Sequence, residues 1–383
     1  VKSVKRHRGA PRLYLDGLQA LRTGFAPGDS YDIEVAGRRL VLRKKRDGSR
    51  TVSARRKGER EYPVLDINSA ELLSIFEGMD AVRVVVGEGQ VTFLPLASEA
   101  KRLERLERLQ GKLARGEPLK TASLAHGGGI LSHAIHKGLQ EAGLECELAF
   151  ANELRDDLLE QAIEHNDAWS EHTAAVALPM QEAAQDDWLL AHLPKVEILE
   201  AGIPCSGASL AGHTRNGLQK MEDHPEVGHL AMSALILIMK TQPAVVLIEN
   251  VPRYRDTASA QILRSQFRDM GYNVREAILS GKDFGCMEDR VRWCMVAVTR
   301  GIEFSFEALA PPVRVVRLLG EVLDPDIGPD DERWRAVQYL KDKRERNDAE
   351  GNGFKMQFVN EHSSHVPTLR KGYHNKDDST VLT

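Results

Sequence analysis

Thr121-Ala122-Ser123-Leu124-Ala125-His126-Gly127-Gly128-Gly129-Ile130-Leu131 carries an apolar, strand-like run into a glycine-rich turn and then into a helical pattern. The predicted strand lies near Thr121 to Ala125, and the helix extends from Leu131 to Ala142. Three glycines between them allow a backbone to approach a ligand where a helix begins. The spacing is not the G-x-G-x-x-G of dinucleotide sites, and such a turn serves nucleotides, methyl donors or plain packing alike. Downstream the alternation continues. A strand is expected near Cys146 to Ala151 and a helix beyond Arg155, then strands at Val196–Ala201, Val245–Glu249 and Trp293–Thr299, with a helix from Val227 to Lys240. That succession predicts a doubly wound, Rossmann-like α/β domain over residues 118–300.

In front of this domain the pattern changes to short β segments with a faint repeat about 51 to 52 residues apart. Pro11-Arg12-Leu13-Tyr14-Leu15 is echoed by Pro63-Val64-Leu65-Asp66-Ile67. The alternating Tyr31, Ile33, Val35, then Leu40 and Leu42, is echoed by Val82, Val84, Val86, then Val91 and Phe93. Residues 1–97 are therefore expected to form a β-rich tandem module, which loosely resembles the swapped-hairpin barrels of AbrB-type and SymE-type proteins. The first sixty residues hold 17 Lys and Arg against 6 Asp and Glu. Such a block attracts phosphate backbones or dimerises the chain, although clusters such as Arg43, Lys44, Lys45 and Arg46 also arise as solvated loops. Residues 98–117 read as a charged linker helix with Leu103, Leu106, Leu109 and Leu113 on one stripe. Beyond residue 300 the periodicity weakens, apart from a charged helix near Asp331 to Glu350, and 301–383 is expected to be a small, less regular lobe.

The 383 residues fit two or three domains. No apolar run approaches the roughly 20 residues of a membrane span. Four cysteines without paired spacing suggest neither a disulfide framework nor a metal site, which fits a soluble protein of a reducing cytoplasm. Cys146, Cys286 and Cys294 lie in or near apolar strands and are expected to be small buried hydrophobes. Cys205 differs, because Gly202-Ile203-Pro204-Cys205-Ser206 places a thiol in a loop at the end of a strand, where open α/β sheets bind ligands. Glu153, just past the second α/β strand, is positioned to accept both hydroxyls of a ribose, with an ordinary exposed strand-end acid as the alternative. Ile248-Glu249-Asn250-Val251-Pro252 brings a carboxylate to the same sheet edge as Cys205. In Glu288-Asp289-Arg290-Val291-Arg292, Arg290 and Arg292 alternate and should point together, toward a phosphate and a base oxygen or merely toward solvent.

This ordered set resembles the cytosine-C5 DNA methyltransferases, from about Lys120 to Arg300 and more weakly to the end. The resemblance implies that S-adenosylmethionine is the cofactor, held by Leu124, Ala125, Gly127, Gly128 and Gly129, by Glu153 and Leu154, and by Gly202 and Pro204. It implies that Cys205 is the nucleophile and Glu249 the acid that grips the base. Arg290 would meet phosphate and Arg292 the cytosine carbonyl, with Ser206, Ser209 and Asn250 on the substrate side. Double-stranded DNA would be the partner, in a bacterial or phage setting. His126 stands where the family has glycine, Ser206 where glutamine is frequent, and Glu288 where the family has Gln. No Asp is evident for the adenine amino group, and Gln181 or Glu182 stands near that position. A tRNA-methylating relative and a silent DNA-binding regulator remain alternatives. The family's closing motifs do not follow Gly351-Asn352-Gly353-Phe354 and Pro367-Thr368-Leu369-Arg370. The expectation is that a longer C-terminus or a second subunit completes the cofactor pocket.

Overall fold

The computed structural model describes residues 1–7, 10–204, 221–224, 228–312, 317–328, 330–332, 334, 338–351, 356–368 and 380–382. They form two compact units, 1–107 with 269–271, and 108–268 with 272–383.

The larger unit is organised by a seven-stranded sheet: β1 (Leu119–Leu124), β2 (Cys146–Glu153), β3 (Ala174–Ala177), β4 (Ile198–Ala201), β5 (Val245–Asn250), β6 (Tyr272–Ser280) and β7 (Val291–Thr299). Its spatial order is β3-β2-β1-β4-β5-β7-β6. The first five strands are parallel, and β7 runs antiparallel between β5 and β6. Helices α1 (Ile130–Glu141), α2 (Asp156–His165), α3 (Leu230–Thr241) and α4 (Ala258–Asp269) supply the crossovers and flanks. Strands covered on both faces need near-continuous apolar runs. Leu199 and Ala201 of β4, Val246 and Ile248 of β5, and Trp293, Met295 and Ala297 of β7 are accordingly buried. The α/β expectation holds. The short β3 and the edge strand β6 escaped the sequence reading, because Ala-Ala-Val-Ala is too brief and β6 mixes Asn273, Arg275 and Glu276 into its apolar positions.

Register matters more than strand count for the site. Leu124 pairs with Asn152 on one side and Ala201 on the other, and Ala201 pairs with Ile248. The carboxyl ends of β2, β1, β4 and β5 therefore finish at one edge. Because β7 is antiparallel, its beginning reaches that same edge, with Trp293 opposite Asn250.

In the smaller unit the repeat appears as a two-fold pattern of strand pairing. Leu13 pairs with Ile67 and Leu15 with Leu65, while Leu40 pairs with Phe93 and Leu42 with Val91. In each case a residue pairs with the counterpart of the residue two places on, and that residue pairs with the counterpart of the first, as a pseudo-dyad requires. The equivalent side chains Leu13 and Leu65, Leu15 and Ile67, Phe25 and Phe76, and Tyr31 and Val82 share one core. Many of the basic residues are ion-paired: Arg12 with Asp66, Arg55 with Asp16, Arg56 with Glu61, Lys44 with Asp29 and Lys45 with Asp32.

The charged helix spans Ala97–Arg115, and its leucine stripe is not what it buries most completely. Arg105 is 1% exposed whereas Leu113 is 44% exposed. Toward its end, Arg108 Nε and Lys112 Nζ each lie 2.7 Å from the carboxylate of Glu197, which is fully buried and also accepts the Lys120 N–H at 2.8 Å. Three donors compensate the desolvation of that charge. Beyond β7 the described residues include a helix at Gln338–Glu350 and a small core of Leu319, Val359 and Val366. The strands Gln357–Val359 and Thr380–Leu382 pair, as do Glu288–Asp289 and Val366–Pro367. Residues 352–354 and 369–370 of the two C-terminal segments singled out above lie outside the described residues. Among the described residues no helix is long and apolar enough to cross a membrane.

Candidate active site

The turn after β1 is built by unusual backbone and a buried polar chain. Ala125 has φ 53°, a left-handed conformation that costs a non-glycine residue strain. The position of Gly129, at φ 75°, favours glycine twice over: the backbone is left-handed, and a Cβ there would lie under 3.0 Å from both Asn166 Nδ2 and His126 Nε2 unless they shifted. Asn166 Nδ2 donates to Gly128 O and Gly129 O, clamping the turn from beyond α2. His126, the second residue of the turn, is 7% exposed. Its Nε2 accepts the Trp169 indole N–H at 3.0 Å, so Nδ1 is left to pair with Ser123 Oγ at 2.8 Å. Burial pushes the imidazole down to about 4, which keeps it neutral.

A cavity of about 720 Å³ opens at the sheet edge beside this turn. Ala125 just past β1, Glu153 and Leu154 at the end of β2, Gly202 and Pro204 just past β4, and Pro179, Met180 and Gln181 from the segment after β3 line it. Leu154 is 66% exposed, an apolar face for a ligand. Glu153 accepts the Gly127 N–H at 2.7 Å and the Arg155 N–H at 3.1 Å, which fixes its carboxylate while leaving lone pairs for a diol. Asn152 binds Val176 O and Leu178 O, holding the β3 exit that carries Gln181 to the cavity. Glu182 is not among the lining residues. Leu124 is fully buried and gives its carbonyl to the Gly202 N–H, so it shapes the floor rather than lining it. Gly127, Gly128 and Gly129 likewise form the turn without lining the cavity. Size, a bonded strand-end carboxylate, an amide from Gln181 and apolar walls suit an adenosyl group.

On the β4–β5 side, Asn250 Nδ2 donates to Ile203 O at 2.9 Å, and its Oδ1 accepts the Val251 N–H. Asn250 is 2% exposed, so its amide holds the loop leading to residue 205 instead of facing a substrate. Glu249 Oε1 meets Arg292 Nε at 2.7 Å, both side chains partly open. Arg290 does not join them. It lies outside β7, half exposed, 3.9 Å from Glu288. Cys205, Ser206 and Ser209 lie outside the described residues. Burial raises the thiols of Cys146 and Cys294, the latter to about 11 with Glu249 adding to the effect, which makes both poor nucleophiles. Cys286 departs from expectation: it is exposed, in the turn before Glu288 rather than within a strand.

One side chain escaped the sequence reading altogether. Glu200, the penultimate residue of β4, is 4% exposed and accepts a hydrogen bond from Ser132 Oγ at 2.7 Å. The available signal was an acid, one of two with Glu197, inside the otherwise apolar run Val196–Ala201. The Ser132 and Ser123 partners were not legible, because they come from two other elements.

The pattern for C-5 cytosine-specific DNA methylases matches residues 119–380. Among curated proteins, the chain is 27% identical over 201 residues to the type II methyltransferase M.NlaX of Neisseria lactamica, covering 50% of this chain and 60% of that protein. It is 31% identical over 139 residues to the type II methyltransferase M.MspI of Moraxella sp, covering 35% and 31% respectively. The chain thus spans less than two thirds of the length of each of these relatives. Among solved structures, a methyltransferase of Entamoeba histolytica superposes with a TM-score of 0.51 at 14% identity, over 67% of this chain and 72% of that one, which speaks to the fold. With the glycine turn, the strand-end acid and the Glu249–Arg292 pair all at one sheet edge, and the family's pattern matched over more than half its length, the chain belongs to the C-5 cytosine-specific DNA methylases.

Proposed function

We propose that the protein methylates C5 of cytosine in double-stranded DNA, with S-adenosylmethionine in the cavity bounded by Glu153 and Gly202. The observation that carries this reading is the Glu249–Arg292 pair at the edge where β4 delivers Pro204 toward residue 205. Cytosine C5 becomes nucleophilic only after addition at C6. Cys205, by its place after Pro204, makes that addition as a thiolate. Glu249 hydrogen-bonds the N3 and amino edge, and Arg292 stabilises the O2 oxygen as charge develops. When bound, the cofactor supplies an electrophilic methyl group. The C5 proton then leaves to a base and the bond from Cys205 to C6 breaks, restoring the thiolate and the aromatic ring. Reaching C6 requires the target base to leave the stack. Asn250 positions the Cys205 loop, and Arg290, exposed beside the site, meets backbone phosphate.

The experiment is trapping on a duplex carrying 5-fluorocytosine, where the missing C5 proton arrests release. The parent should give a denaturation-resistant adduct in the presence of cofactor, and Cys205→Ala should not. Tritium transfer from labelled S-adenosylmethionine to DNA but not tRNA would separate this reading from the tRNA alternative. Equal trapping by the alanine variant would refute the assignment of Cys205.

A further inference from the structure

Glu200 has no part in the chemistry above, yet its surroundings are specific. It is in register with Ser123 on β1 and Leu247 on β5. The Ser132 hydroxyl of α1 donates to it, and the Ser123 hydroxyl also bonds it. Among the described residues no Lys or Arg pairs with it. The titratable group acting on it is Glu249 from β5, whose own charge is answered by Arg292, while His126 from the turn, held neutral by burial, meets the same two serine hydroxyls. The cage therefore offers hydroxyl dipoles but no cation, and burial raises the carboxyl to about 7.

We propose that Glu200 is a charge sensor beneath the cofactor cavity, favouring a sulfonium-bearing ligand over its neutral thioether counterpart. The inference rests on reading the cavity as the S-adenosylmethionine site. Ala125 and Gly202, which line the cavity, lie two residues beyond Ser123 and Glu200 along adjacent strands, roughly 7 Å. At that range, screened by protein, a unit cation in the cavity and an ionised Glu200 attract enough to change affinity on the order of tenfold. A cationic ligand thus draws Glu200 toward its ionised form and releases a proton to solvent on binding near neutral pH. Methyl transfer removes the positive charge from sulfur, so the product loses this attraction and Glu200 takes a proton back. The carboxyl acts through the field and touches neither ligand.

The test is titration calorimetry of the full chain with S-adenosylmethionine and S-adenosylhomocysteine, from about pH 6 to pH 8, in two buffers of different ionisation enthalpy. In the parent, the preference for the sulfonium ligand should grow several-fold with pH, and only that ligand should release a fraction of a proton. Glu200→Gln should bind both ligands with a flat preference and no such proton release. Ser132→Ala, which removes one donor to the ionised carboxyl, should move the midpoint to higher pH. A parent preference that does not change with pH, or a pH-dependent preference that persists in Glu200→Gln, overturns the proposal while leaving the cofactor site standing. Failure of both ligands to bind the parent overturns the site reading and the proposal with it.

Discussion

Replacing Glu200 with glutamine should stabilise the protein, and by an amount that depends on pH in a calculable way. The folded carboxyl titrates near 7 against an ordinary value of 4.5. Between those values the folded chain keeps a proton that the unfolded chain has released. Stability of the parent therefore falls as pH rises from 4.5 to 7, and levels off above. At about 1.4 kcal/mol per pH unit, the gap amounts to about 3 kcal/mol, to order of magnitude. Glutamine never ionises, so Glu200→Gln escapes this loss. His126 has the opposite sign: its folded value of about 4 lies below the usual 6.5, so its contribution is full above 6.5 and is lost as pH falls toward 4. In the parent the two slopes oppose each other between 4.5 and 6.5, and in the variant the histidine slope stands alone. Urea denaturation of both proteins in steps from pH 4.5 to about 8.5, followed by tryptophan fluorescence, isolates the carboxyl because every other titration cancels in the difference. That difference should rise by about 3 kcal/mol between pH 4.5 and 7 and then stay flat. A difference independent of pH would mean that Glu200 is not buried as a titrating acid, and the reasoning would fail.

Three further outcomes follow from individual contacts. Glu153→Ala should weaken binding of S-adenosylhomocysteine by one or two charge-assisted hydrogen bonds, roughly 1.5 to 3 kcal/mol each, by calorimetry; unchanged affinity would remove Glu153 from the site. Glu197→Ala strands Arg108 and Lys112 around a buried void and should cost about 3 to 5 kcal/mol of stability in denaturant, and a cost below about 1 kcal/mol would show that the charges relax into water. The pair Lys57→Ala with Arg60→Ala, at an exposed hairpin tip, should lower the slope of log affinity for duplex DNA against log salt by up to about 2; an unchanged slope would leave that tip without a phosphate role.

How far the residues alone carried the reading differs from element to element. Strands with uninterrupted apolar runs, such as β5 and β7, and the glycine turn before α1 were legible because burial on both faces and positive φ each demand particular residue types. Glu153 and Glu249 were legible as acids at strand ends. The edge strand β6 was not, since an exposed edge tolerates polar residues. Asn250 looked like a substrate ligand beside Glu249, but its amide turned inward to Ile203. Arg290 and Arg292 looked equivalent by alternation, and the break before β7 separated them.

Local order along the chain was enough to establish an α/β domain, its family and the acids at its working edge, because periodicity and turn chemistry are properties of neighbouring residues. Which of those groups meet was settled only in three dimensions. Parallel register aligned four strand ends, and the reversal of β7 carried Arg292 back to Glu249. The ionisation of His126 and Glu200 depends on burial by Ser123, Ser132 and Trp169, drawn from separate elements, and no single stretch of sequence encodes the dielectric that such a gathering creates.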